Sequence, residues 1–394
     1  MKKRIAILIG VFLLSSLVST ASYASESGTE EGRQNIKSME EIMSLEEELI
    51  GQFDYGEMDE ALKELFPEER TGFKEMLKKV LTGEQGYSLK LIKQLLGDQL
   101  LYAFTSCRKN LIRILMITIL ASVFRNFAQV FQNKQVSDIS FYVIYLLLIA
   151  LCLNSFQIVM EWVGDGITRL TEFMTAFYPV YFLAVSVAKG SVTAVAFYNL
   201  VLFIIYLVEV LIVYFLLPVI HIFMMIKLLD FLSDREYLSN FAELIEVVVS
   251  WLLKTLLACV VGFNVIQGML SPAIDTVKRS ALTRGAEAIP GVGDAIGGVT
   301  EVVLGTAVLV KNGIGIVGMV LCLALCIAPI AQVGAIALMY KLAAAVIQPI
   351  SDKRVAGCVE CVGDGCRLLL NVVFTTGILF LLTIVIVSFV TGNV

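Results

Sequence analysis

Long apolar runs, separated by short polar stretches, fill this chain from about residue 111 onward. An apolar run of about 20 residues is long enough to cross the hydrocarbon core of a bilayer as a helix. The pattern predicts spans at residues 111–131, 139–160, 173–188, 192–210, 211–232, 245–270, 314–330, 331–350 and 368–390. Residues 192–232 are divided because one helix of that length would measure about 60 Å, roughly twice the hydrocarbon thickness. We expect the break near Glu209 or Pro218.

The first residues have the pattern of a secretory signal peptide. Lys2, Lys3 and Arg4 precede an apolar run at residues 5–18, which is short for a span, and small residues lead to Ala24. This order is typical of a signal that is cleaved, here after Ala24. An uncleaved signal anchor is the alternative. Both place the residues that follow outside the cytoplasm.

Residues 25–105 form an acidic segment before the spans, with 18 Asp and Glu against 9 Lys and Arg. Apolar residues recur at helical spacing at 73–80 and again at 89–100, so two short amphipathic helices are predicted after Pro67. Each apolar stripe needs a cover. It is either a docking surface for a partner on the outer face of the membrane, or it packs on the body of this chain.

A glycine-rich segment at residues 271–313 interrupts the apolar half. Nine of the 29 glycines lie between residues 285 and 318. In hydrocarbon an irregular backbone is tolerated only where it is buried in protein or lines a wet cavity. Gly293 and Gly297 also have the spacing that lets helix backbones approach closely. Close packing, re-entry into the membrane and a cavity lining therefore all stay open, and the basic residues at 278–284 leave the orientation of the last spans unsettled.

Composition supports a membrane protein. The chain is 58% hydrophobic and 16% charged, with a mean hydropathy of +0.83, whereas average soluble domains are about 45–50% apolar and about 25% charged. We predict an all-α, polytopic helical membrane protein with an N-terminal signal peptide and a small helical exported segment. Its expected parts are a signal peptide (1–24), an acidic exported helical segment (25–105), a first transmembrane helix group (106–270), a glycine-rich segment (271–313) and C-terminal transmembrane helices (314–394).

Polar residues inside apolar runs are candidate functional positions, because an ionisable side chain at mid-membrane is costly and faces the protein interior or water. Glu209 and Lys254 are the clearest cases, and we expect them to form a polar pathway or an interhelical pair. The alternative is that each side chain extends to the membrane interface. The candidate membrane-embedded polar or packing positions are Glu209, Lys254, Gly291, Gly293, Gly297, Gly298, Lys311, Asn312, Gly313 and Lys341.

Motifs for catalysis or ligand binding fail in their context. The GxGxxG pattern at residues 313–318 has no preceding strand and no acidic residue about 20 positions later. Cys358, Cys361 and Cys366 resemble part of a zinc site without a fourth ligand nearby, and His221 is the one histidine of the chain. We therefore expect no enzyme, no cofactor, no metal site and no nucleic-acid binding.

Four stretches carry a family resemblance: LTGEQGYSLKLIKQLL (81–96), ALCLNSF (150–156), IPGVGDAIGGVTEVVLGTAVLVKNGIGIVGM (289–319) and YKLAAAVIQPI (340–350). With the order of signal peptide, polar exported segment and polytopic body, they resemble stage III sporulation protein AE of endospore-forming bacteria. The resemblance covers almost the whole chain. The glycine-rich stretch is its most specific part, and the cluster of three cysteines is not a feature of the family.

The resemblance implies an integral membrane component of the secretion-like channel complex between mother cell and forespore, which supports late forespore gene expression. It implies a place in the mother-cell membrane around the forespore, with the N-terminal segment on the extracytoplasmic side. The implied partners are other proteins of the stage III sporulation A complex, stage II sporulation protein Q across the intermembrane space, membrane lipid and further copies of the chain as a homo-oligomer. The alternative is a stand-alone transporter or permease with a polar site at the membrane midplane.

Overall fold

The described part of the chain is helical throughout its regular structure. The computed structural model describes residues 47, 48, 50, 51, 54–56, 58–60, 72–81, 97, 101, 105, 108, 112–116, 119, 134–189, 193–231, 238–286, 293–349, 351 and 353–392. The helices are α1 (Phe73–Leu81), α2 (Lys134–Lys189), α3 (Thr193–Glu209), a π-helical segment (Val210–Leu216), α4 (Leu217–Asp230), α5 (Ser239–Ala286), α6 (Gly293–Ile347) and α7 (Lys353–Gly392). The chain divides into two compact units, Met1–Glu48 and Leu49–Val394, and all these helices belong to the second.

Within the described ranges, five helical stretches are long and apolar enough to cross a membrane. They are Tyr145–Ala188, Tyr198–Asp230, Ser239–Ile266, Gly305–Ile347 and Lys353–Ser388. No β-strand occurs in the described residues. The predicted all-α, polytopic helical membrane fold is thus confirmed. The predicted signal peptide lies outside the described residues, as does nearly all of the predicted span at 111–131.

The predicted spans are too finely divided, because two pairs of them are single helices. Residues 139–160 and 173–188 both lie in α2, and residues 314–330 and 331–350 lie mostly in α6, which continues through Pro329. The polar residues between the first pair, and the proline between the second, suggested loops. Neither ends the helix, because polar side chains interrupt only the apolar pattern and neighbouring helices tolerate a proline inside a membrane helix.

The predicted break near Glu209 or Pro218 is a π-helical segment instead of a loop. It occupies Val210–Leu216, and the Leu217 N–H donates to the Ile212 carbonyl at its end. Pro218, in the first turn of α4, has no N–H for an ordinary helical bond. A π segment keeps the helix continuous next to such a residue. The place of the irregularity was predicted correctly, whereas the division into two spans was wrong.

α7 packs against α2, α4, α5 and α6. It runs antiparallel to α6, since Gly363 meets Lys341 and Gly377 meets Cys326. It runs parallel to α2, since the Sγ atoms of Cys152 and Cys358 lie 3.8 Å apart near the start of both helices. α4 and α6 therefore end where α5 and α7 begin.

The short helix α1 packs at the opposite end of this bundle. Its Leu77 and Leu81 side chains lie against Gly313 of α6. Asp59 caps α1 by accepting a hydrogen bond of 2.6 Å from the Phe73 N–H, and the Tyr55 ring stacks on Phe73 at 5.2 Å. The apolar stripe of this predicted amphipathic helix is thus covered by the chain's own body.

Candidate functional site

The glycines of α6 form a close contact with aromatic side chains of α2. A Cβ atom at Gly318 would collide with the Phe177 ring, and one at Gly315 would lie 3.2 Å from Cε2 of Tyr181. The α2 rings also stack on one another, with 5.4 Å between the centroids of Phe177 and Tyr181. From Gly293 the backbone is helical, so glycine serves close packing in the described part of this segment and not an irregular backbone.

Charged side chains form bridges between helices at the end where α7 begins, which we call the charged end. Asp364 of α7 accepts a hydrogen bond from Lys227 of α4, with 2.8 Å between Oδ2 and Nζ. Its other carboxylate oxygen lies 3.6 Å from Nζ of Lys341 on α6. Arg367 binds Glu246 of α5 at 2.7 Å. One short stretch of α7 therefore holds three neighbouring helices by charge.

Sulfur atoms lie beside this charged end. Cys358 faces Cys152, and the Cys361 Sγ is 3.6 Å from Sδ of Met224. Cys366 is buried in the same part of α7. In the part of the chain that the structure covers, no group of three or more His, Cys, Asp or Glu side chains is arranged to hold a metal ion. The cysteines therefore act here as small apolar packing residues.

An exposed row of polar residues runs along the middle of α2. We call it the α2 polar stripe; its members follow one another at steps of three or four residues, which keeps them on one side of a helix. They are Gln157, Glu161, Asp165, Arg169 and Glu172, all exposed. Their formal charge is −2, from three carboxylates and one guanidinium.

The α2 polar stripe lies at the depth of the apolar middle of the bundle. Gly164 and Gly166, which alternate with its members, pack on Leu217 of α4 and Pro329 of α6. Leu217 and Pro329 both lie well inside stretches that are long and apolar enough to cross a membrane. The stripe is therefore polar where its neighbours are suited to hydrocarbon.

A sequence model of the family described as stage III sporulation protein AE matches residues 71–391. This chain belongs to the stage III sporulation protein AE family. Over 345 residues it is 24% identical to stage III sporulation protein AE of Bacillus subtilis (strain 168), which covers 87% of this chain and 86% of that protein. No solved structure matches the chain. The family and the apolar helices together make it a multi-pass membrane protein of sporulation.

The ionisable residues that the sequence singled out do not meet in this member of the stage III sporulation protein AE family. Glu209 is half-buried at the end of α3, while Lys254 is exposed on α5. Among the described residues no ion pair joins them, so the interhelical pair is wrong. Lys341 does pair, but with Asp364 at the charged end. Lys311 is fully buried in α6.

The small candidate positions lie near the start of α6. Gly313 is buried against α1, and Asn312 beside it is half-buried. Gly293, Gly297 and Gly298 lie in the first turns of the helix, whereas Gly291 lies outside the described residues. Re-entry of the glycine-rich segment stays a prediction.

Sequence inspection missed both the α2 polar stripe and Asp364. Residues 161–172 were taken as a loop between two spans, although their charged positions repeat every three or four residues and contain no proline. That repeat is the signal that would have found the stripe. Asp364 lies in a glycine-flanked sequence close to the cysteines, and its two lysine partners come from helices far away along the chain, which no local pattern reveals.

Proposed function

We propose that this protein is an integral membrane component of the channel complex between mother cell and forespore, and that it supports late forespore gene expression during endospore formation. The family match carries the proposal, because it runs through all the helices from α1 to α7. We expect it to act by assembly and not by enzymatic catalysis, without a cofactor.

In this proposal the helical body lies in the mother-cell membrane around the forespore, and the exported segment faces the space between the two membranes. The contact between α1 and Gly313 supports a rigid outer surface. Lys74, Glu75 and Lys78 form the exposed side of α1, so partners meet a polar surface. Those partners are other proteins of the stage III sporulation A complex and stage II sporulation protein Q.

A stand-alone transporter receives less support. That alternative placed a midplane site between Glu209 and Lys254, and these side chains do not pair in the described residues.

The test is purification of the tagged protein from membranes of sporulating cells, followed by identification of the proteins that accompany it. We expect other proteins of the stage III sporulation A complex, and we expect Lys74→Glu to lower their recovery. Lys353→Glu is the matched control, because Lys353 is also exposed but begins α7 at the charged end. Recovery of the tagged protein without these partners would refute the proposal.

A further inference from the structure

Two exposed charged surfaces of this body lie at mid-membrane depth. One is the α2 polar stripe. The other is Lys254 on α5, whose exposed neighbours on the same side include Val247 and Trp251. Lys254 lies near the middle of the stretch Ser239–Ile266, which is suited to cross a membrane. Charged side chains at this depth are costly in lipid and pair with one another or face water. A single copy in lipid leaves both surfaces without such a partner.

The two surfaces lie at the same depth. Glu246 meets Arg367 and Asn264 meets Thr383, with 3.1 Å between the Asn264 amide nitrogen and the Thr383 hydroxyl, so α5 runs parallel to α7. Cys152 meets Cys358, so α2 does the same. At 1.5 Å per residue, these pairings place Lys254 at a depth between Asp165 and Glu172, within about 6 Å of each.

The two surfaces belong to different sides of the molecule. α7 packs against both α2 and α5, whereas α2 and α5 form no helix packing interface with each other among the described residues. Lys254 therefore does not reach the α2 polar stripe of its own chain. A second copy in the same membrane with the same orientation carries its stripe at the depth of Lys254. The stripe has a net charge of −2 and Lys254 has a charge of +1, so the surfaces are electrostatically complementary.

We propose that copies of this chain associate head to tail, with α5 of one copy against the α2 polar stripe of the next and Lys254 between Asp165 and Glu172. Each copy uses two different surfaces, and such contacts close into a ring or continue as an open array. A ring leaves the rest of the stripe available to line a hydrated passage. This last step rests on the proposed function of the protein in a channel complex, whereas the contact itself does not.

Paired cysteines test the contact directly. The variant carries Asp165→Cys and Lys254→Cys, with Cys259→Ser because Cys259 is exposed and Cys107→Ser because residue 107 lies outside the described residues. It is oxidised with copper phenanthroline in membranes of a host that does not sporulate. We expect a ladder of disulfide-linked dimers and larger species on a non-reducing gel.

The controls are each cysteine alone and the pair Asp165→Cys with Tyr214→Cys, because Tyr214 is 73% exposed on the π-helical segment at a similar depth. Absence of the ladder from the Asp165–Lys254 pair, or an equal ladder from the Tyr214 control pair, would overturn the proposal. A cross-link confined to one chain leaves the mass unchanged and would also overturn it.

Charge exchange gives a second, independent result. Lys254→Glu places like charges at the contact, and we expect the yield of oligomer after lysine-independent cross-linking to fall about tenfold or more. Lys254→Glu combined with Asp165→Lys should restore it. An unchanged yield in the single variant would show that Lys254 faces lipid or another segment. Neither experiment involves sporulation partners, so failure of the partner purification would not affect them.

Discussion

Gly318 is the residue where α6 and α2 come closest. A Cβ atom there would overlap the Phe177 ring, and that ring is fully buried between other aromatic side chains. Overpacking of a tight interior forces backbone or rotamer shifts that cost about 1–3 kcal/mol. The glycine is therefore needed for its size.

We accordingly expect Gly318→Ala to lower the thermal midpoint of unfolding in detergent, with a loss of about 1–3 kcal/mol. Gly334→Ala is the control in the same helix, because nothing lies within 4 Å of its added Cβ. It should be neutral or stabilising by about 0.5–1 kcal/mol, since alanine favours a helix over glycine. Equal effects of the two changes would contradict the close contact.

Asp364 is the second residue on which the bundle depends, because it neutralises two lysines from different helices. We expect Asp364→Asn to lower the free energy of unfolding by roughly 1–3 kcal/mol, as partly buried Lys227 loses its charged acceptor. Arg367→Gln should cost less than about 1 kcal/mol, because Arg367 is 54% exposed in its pair with Glu246. Thermal unfolding of both variants checks the order, and the reverse order would be inconsistent with it.

At this scale the sequence identified important residues better than their neighbours. Gly313 and Gly318 were predicted to allow close packing, and both are in close contact. Their partners, Leu77 of α1 and Phe177 of α2, lie far away along the chain, so spacing alone contains no information about them. The same holds for Lys341 and Asp364, which meet only because α6 and α7 run antiparallel.

At the scale of the helix, the apolar runs correctly predicted a helical membrane protein but not where each helix ends. Residues 161–172 contain four charged side chains and two glycines, which in hydrocarbon terms resemble a loop. α2 continues through them because each of its other sides is apolar and covered, whereas the charged side is exposed. Hydropathy averaged over a window does not distinguish a polar loop from a helix with one polar side.

The parallel packing of α2 and α7 can be tested with cysteines that the protein already has. Cys152 and Cys358 are both buried, with their Sγ atoms 3.8 Å apart. Small adjustments would bring them to bonding distance. We expect iodine, which enters membranes, to form a disulfide between residues 152 and 358, detected by mass spectrometry of peptides. Cys322, which lies on α6, should not be joined to Cys358, and such a pair would contradict the described packing.

For the whole molecule, the position of α1 suggests an orientation. If the exported segment lies outside, the α1 end of the bundle is extracytoplasmic and the charged end is cytoplasmic. Lys227, Lys341 and Arg367 then lie on the cytoplasmic side, in agreement with the positive-inside rule. The basic residues at 278–284, in the last turns of α5, then lie outside, against that rule.

A charged thiol reagent that cannot cross membranes tests this orientation. Lys74→Cys on α1 and Lys353→Cys at the start of α7 are both exposed positions, so both react once the membrane is permeable. In intact protoplasts we expect the cysteine at 74 to react and the one at 353 to stay unmodified, in a background with Cys107→Ser and Cys259→Ser. Modification at 353 alone would reverse the orientation.

The length of α2 has a consequence for recognition in the space outside the hydrocarbon. With 56 residues, α2 measures about 84 Å, and a bilayer core of about 30 Å contains only a little over a third of it. The turn between α2 and α3, from Lys189 to Thr193, is short, so it offers few residues for recognition. Proteins that approach from the aqueous side therefore meet the flanks of projecting helices, and specificity for them must be written in helical periods and not in loop sequences.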